Sequence, residues 1–152
     1  MTRTNNEALL KTSRLALLAG MLLLGGCGEV DETARLQQAL DELVEAVEQR
    51  SVRQVNRYLA PDFKTSQQSG VGNIQGFMRL QFRSNRVIHI FVSEQQLSVD
   101  RQQGQISFHA LVTGSGNWIP ERGQRFYVKT RWQLNNGDWQ LSRLGWEKQL
   151  SP

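Results

Sequence analysis

The chain has 152 residues with a formal net charge of +4, enough for one domain of ordinary size. Hydrophobic residues make up 39% and charged residues 21%, which excludes both a disordered chain and an integral membrane protein. A single cysteine excludes an internal disulfide, and the positive balance is no nucleic-acid signature: three of the 18 basic and one of the 14 acidic side chains fall in residues 1–26, leaving 15 and 13 beyond them.

Lys11 and Arg14 precede an uncharged run from Leu15 to Gly26 that includes Leu17, Leu18, Leu22, Leu23 and Leu24. Twelve residues suit the apolar segment of an export signal and fall short of the ~20 needed to span a bilayer. The run ends in Leu24-Gly25-Gly26-Cys27. This resembles the lipobox of bacterial lipoproteins, in which a leucine and two small residues precede the cysteine that is lipidated and becomes the mature N-terminus. The resemblance implies a signal peptide over residues 1–26 and a lipidated tether over residues 27–30. It also implies a membrane anchor through Cys27. Gly28 follows where aspartate retains many Gram-negative lipoproteins in the inner membrane. For a Gram-negative source the expected address is therefore the periplasmic face of the outer membrane.

From residue 31 on the pattern is that of a folded domain. Leu36, Leu40, Leu43, Val44 and Val47 recur at helical spacing between Asp31 and Arg50, with Asp31 or Thr33 as the cap. Ser51-Val52-Arg53-Gln54 reads as a capping box for a short helix with Val52, Val55 and Leu59 inward, stopped by Ala60-Pro61. Lys64 to Gly72 is polar and reads as a loop; Asn73 then caps a third helix with Ile74, Phe77, Met78 and Phe82 on one face.

Alternation takes over at Val87. Four strands are expected over Val87–Val99, Gly104–Asn117, Gln124–Leu134 and Asp138–Lys148. Asn136-Gly137 is a two-residue hairpin signal between the last two. The parity break between Leu141 and Leu144 calls for a β-bulge near Ser142-Arg143. Helices followed by hairpin-linked strands mean an α+β fold with an antiparallel sheet.

This order, with Tyr58-Leu59-Ala60-Pro61-Asp62-Phe63 after the short helix and Gly137-Asp138-Trp139-Gln140-Leu141 in the last hairpin, resembles the nuclear transport factor 2-like (SnoaL-like) superfamily. The resemblance covers roughly Asp31 to Leu150 and implies a cystatin-like cone: N-terminal helices packed in a curved antiparallel sheet, one domain over residues 31–152. The family's enzymes place Asp, Tyr or His groups inside the cone, and none can be carried over residue by residue.

The chemistry-bearing residues are few. His89 and His109 lie in strand patterns and are candidates for acid–base work, with His89 on the face of Phe91 and His109 opposite Phe108 and Ala110. Their number and spacing point to no zinc site, and no phosphate-binding loop or nucleophile elbow suggests a cofactor. Arg125, Tyr127, Lys129 and Arg131 share one strand face: either an anion-binding stripe or the solvated outside of the sheet. Trp132, Trp139 and Trp146 read as core, and Trp118, beside Pro120, as a residue at the cone's mouth able to contact a ligand or partner. The expected function is an envelope lipoprotein that binds a small apolar ligand or a protein partner without catalysis. The alternative is an isomerase, dehydratase or hydrolase with an atypical site, in which His89, Asp62 or Glu94 faces a deep cavity. A homodimer through the sheet face is a third expectation; nucleic acid is not expected as a partner.

Overall fold

The computed structural model of the chain describes residues 31–66, 70–115 and 123–149. Residues from Asp31 on form a compact unit of their own. Leu24, Gly25, Gly26, Cys27 and Trp118 lie outside the described residues.

Helix α1 (Glu32–Glu48) starts at Asp31, whose Oδ1 accepts the N–H groups of Thr33 (3.0 Å) and Ala34 (3.2 Å). Its apolar stripe buries Leu36, Ala39 and Leu40. Its wet face is tied by i,i+4 amide–carboxylate bonds from Gln37 to Asp41 and from Gln38 to Glu42. Arg50, at a left-handed φ of 55°, turns the chain into α2 (Val52–Tyr58). Ser51 Oγ caps α2 at Gln54 N (3.3 Å), but Gln54 Oε1 has no partner, so only half of the expected capping box forms.

The next segment departs from expectation: the short helix ends at Tyr58, and Leu59, expected on its inner face, opens a strand that runs into the expected loop. Leu59–Thr65 is a strand, β1, which pairs parallel with β5 (Asp138–Lys148) through Leu59↔Leu141 and Thr65↔Leu144. Its buried positions are Leu59, Ala60, Phe63 and Thr65, an irregular spacing that hides the strand from a period-two reading. Pro61 is tolerated because β1 is an edge. Helix α3 runs Val71–Ser84 from Gly70, so Asn73 lies inside the helix and is not its cap. Gly70 supplies no side-chain acceptor, whereas at the far end Asn85 Nδ2 donates to Gln81 O (2.9 Å).

Strands β2 (Val87–Asp100), β3 (Gln103–Ser115), β4 (Gln124–Asn135) and β5 form the expected antiparallel meander, and the sheet order is β1-β5-β4-β3-β2. Asn136 and Gly137 have φ of 51° and 89°, the left-handed pair that a two-residue hairpin requires. Trp132 faces Leu141 while Arg131 faces Arg143, so Ser142 is the extra residue that restores parity at the expected bulge. A second bulge occurs in β2, where Ser93 faces His109 but Gln96 faces Ser107; Glu94 within it has a φ of 52°.

The inner sheet face and α1 close on one another at one end of the cone. There Leu36, Ile106, Trp132 and Trp139 are almost wholly buried. Gly104 lets β3 approach: a Cβ on it would meet Leu36 and Trp139.

Candidate functional site

Beyond this closed end the cone is hollow. A cavity of about 670 Å³ lies between α1, α3 and the inner sheet face. Leu40, Leu43, Val44 and Val47 of α1 form one wall, and Ile74, Phe77, Met78 and Phe82 of α3 form the cover. Alternation along the strands supplies the floor: Phe108, Ala110 and Val112 from β3, Phe126 and Val128 from β4, and Leu144 and Trp146 from β5. Among the described lining residues only Gln81, Gln124, Thr130 and Lys148 are polar. The Thr130 hydroxyl is already spent, donating to Ile106 O and accepting from Trp132 Nε1, both at 2.8 Å. Phe77 and Lys148, both exposed, place the mouth between α3 and the far ends of β3 to β5.

No described carboxylate, imidazole or phenol lines this cavity. His89 is on the outer face with its side chain 60% exposed, 4.0 Å from Glu48 Oε1. Asp62 is exposed and accepts from Gln133 Nε2 (3.2 Å). Glu94 sits mid-strand at the β2 bulge, and it too points outward. The placement of His89, Asp62 or Glu94 that the enzymatic alternative requires is therefore not the one found.

The outer face gathers the polar candidates instead. Arg125, Tyr127, Lys129 and Arg131 stand in one row on β4, with the three cations exposed and Tyr127 half-buried. Tyr127 packs beside His109 (ring centroids 5.1 Å apart), and Lys129 Nζ lies 5.1 Å from the Tyr127 ring. Gln149 Nε2 lies 3.1 Å from His109 Nε2. Glu94 Oε2 lies 3.0 Å from Nδ1 but off the N–H direction, an electrostatic contact rather than a hydrogen bond. Sequence reasoning placed His109 outward correctly and missed Glu94 beside it, because the bulge that aims Glu94 has no local signature.

Lys129, Arg131 and Arg143 border an outer groove of about 840 Å³ with Gln96, Ser98 and Ser107. Phe91 and Leu111, neighbours across β2 and β3, form a small exposed apolar patch beside it. Among the described residues no group of His, Cys, Asp and Glu could hold a metal ion, and no helix is long and apolar enough to cross a membrane.

No protein-family model matches the chain, and no curated protein matches it in sequence. Solved structures do match in shape. A candidate dehydratase of the nuclear transport factor 2-like family from Streptomyces avermitilis superposes with a TM-score of 0.71 at 15% identity, covering 79% of this chain and 97% of that one. A candidate scytalone dehydratase from Novosphingobium aromaticivorans gives 0.68 at 8% identity over 78% and 85%. The fold is nuclear transport factor 2-like. Bd1075 of Bdellovibrio bacteriovorus gives 0.68 at 9% identity and covers 75% of this chain, which spans only 40% of that longer protein.

Proposed function

We propose that the protein is an exported, lipid-anchored binding protein whose cone holds a small apolar molecule and performs no chemistry on it. The observation that carries this reading is the hollow, almost wholly apolar cone. Protein interiors pack with few voids larger than a water molecule, and empty apolar volume costs stability in proportion to its size. A cavity of about 670 Å³, within the ordinary range of ligand pockets, fits a space meant to be filled. The absence of a carboxylate, imidazole or phenol among its described lining residues supports binding over the isomerase or dehydratase alternative, since those reactions move protons at the ligand. The lipobox-like Leu24-Gly25-Gly26-Cys27 supports the anchor.

Residues 31–152 should enhance the emission of 1-N-phenylnaphthylamine and quench Trp146, which lines the cavity. Ala110→Trp, directed into the same space, should weaken that binding by about tenfold or more while leaving a cooperative melt. A wild-type domain that ignores the probe defeats the reading. Labelling with palmitate in cells tests the anchor separately: Cys27→Ala should abolish it.

The exposed Phe91–Leu111 pair favours a second reading, self-association through the outer sheet face. Gel filtration of residues 31–152 and of Phe91→Glu decides it: a dimer that the substitution dissolves supports the reading, and a wild-type monomer ends it.

A further inference from the structure

We infer that the occupant of the cone is a single-chain amphiphile whose anionic head group lies against Lys148; this rests on the apolar-ligand reading above. The inner face of β5 runs Leu141, Leu144, Trp146, Lys148: three apolar groups and then a cation at the open end. Lys148 is the one charged side chain among the described lining residues. It has no carboxylate partner among them, since the neighbouring Glu147 faces Tyr127 on the opposite side of the sheet.

Its position is fixed by the strand end around it. Lys148 stands opposite Phe126, and Gln149 N donates to Arg125 O (2.9 Å) just beyond. Gln124, two residues from Phe126 on the same inner face, donates its amide to Arg125 O (3.2 Å) and Gln149 O (3.1 Å). The lysine stem thus runs along an apolar wall with its ammonium at the rim.

Such a mouth discriminates by charge. A neutral apolar ligand gains nothing from the ammonium and a cationic one is repelled, while a carboxylate or phosphate accepts a charge-assisted hydrogen bond. Shape agrees with a chain. From Leu141 to Lys148, both of which line the cavity, the strand rises about 20 Å, a length of wall suited to an extended alkyl tail rather than a compact ring system.

Displacement of 1-N-phenylnaphthylamine from residues 31–152 at about pH 8, where simple carboxylic acids are ionised, tests this with tetradecanoate, tetradecyl phosphate and tetradecanol. Either anion should bind about three- to tenfold more tightly than the alcohol, the modest gain expected of a solvent-exposed pair, and the better of the two identifies a fatty-acid or a phosphate head. Lys148→Gln should erase the preference without weakening the alcohol, and Lys148→Arg should keep it. Equal binding of anions and alcohol, or a Lys148→Gln variant that keeps the preference or weakens all three alike, overturns the inference and leaves the apolar pocket standing. Failure of all three to displace a bound probe overturns the inference alone, whereas a domain that does not bind the probe overturns the apolar-ligand reading itself.

Discussion

Thr130 shows how one hydroxyl organises a buried region. It donates to Ile106 O on β3 and accepts from Trp132 Nε1, and Trp132 is 1% exposed. Thr130→Val keeps the shape and leaves the indole N–H buried without an acceptor, so urea unfolding should record a loss of about 1–3 kcal/mol. A change below a few tenths would mean that the indole finds another partner. A second residue-scale pair titrates. Tyr58 Oη donates to Glu42 Oε2 at 2.7 Å. Burial, and then this bond to Glu42, push the Tyr58 phenol up to about 12, while bonds from Tyr58 and Gln38 hold the Glu42 carboxyl below its ordinary value. The raised Tyr58 value contributes stability that is complete below the phenol's ordinary 10.0 and is lost as pH rises toward about 12. The depressed Glu42 value contributes above its ordinary 4.5 and is lost as pH falls below it. Wild type should therefore exceed Tyr58→Phe by no more than about 1 kcal/mol near neutrality, given the pair's exposure, with the gap closing at both extremes. A gap that is flat with pH would show that the pair contributes nothing.

At the scale of elements, the closed end of the cone depends on a single missing side chain. Gly104 admits Leu36 and Trp139 against β3, and Leu36 is fully buried. Gly104→Ala should cost about 1–3 kcal/mol as an overpacked core, against a gain of up to about 1 kcal/mol for Gly→Ala at an unconstrained site. A thermal melt distinguishes the two signs. The same scale shows what the sequence reveals. The Asn136-Gly137 hairpin and the Ser142 bulge are legible because turn chemistry and a parity break are local. Strand β1 is not, because its reason lies elsewhere: β5 needs a partner on its outer edge, and Leu59–Thr65 meets that need despite a proline and irregular burial. The start of α3 at Gly70 is silent for a related cause, since packing of Ile74 and Met78 against the other elements sets it and no capping side chain does.

At the scale of the molecule, the apolar cone is legible in outline, because alternation sets Phe108 and Ala110 opposite His109 and marks Trp146 as core. Lys148 shares the parity of Trp146 and could have been read as inward; what hid its meaning was the distinction between a filled cone and a hollow one, which depends on volumes rather than pattern. Arg125, Lys129 and Arg131 of the basic stripe are exposed on the outer face, and the cation that lines the cavity, Lys148, is not part of the stripe. The geometry has a consequence for the proposed anchor. The chain enters the domain at Asp31, beside the closed end, where Glu32 accepts from Trp139 Nε1 and Arg35 donates to Gly137 O. The mouth lies beyond Val47, at the other end of a 17-residue helix, about 25 Å away at 1.5 Å per residue. On the proposed lipidation of Cys27, only Gly28, Glu29 and Val30 would separate the lipid from Asp31, and the expected orientation has the closed end toward the bilayer and the mouth away from it. Fluorophores placed singly at Asp138, in the hairpin beside Arg35, and at Glu147, on the outer face beside the mouth, measure this in liposomes with a membrane-embedded quencher. Asp138 should be quenched strongly and Glu147 weakly, and the difference should vanish when a long flexible linker is inserted after Val30. Stronger quenching at Glu147 would mean that the cone faces its own membrane, and that its ligand is drawn from there rather than from the aqueous side.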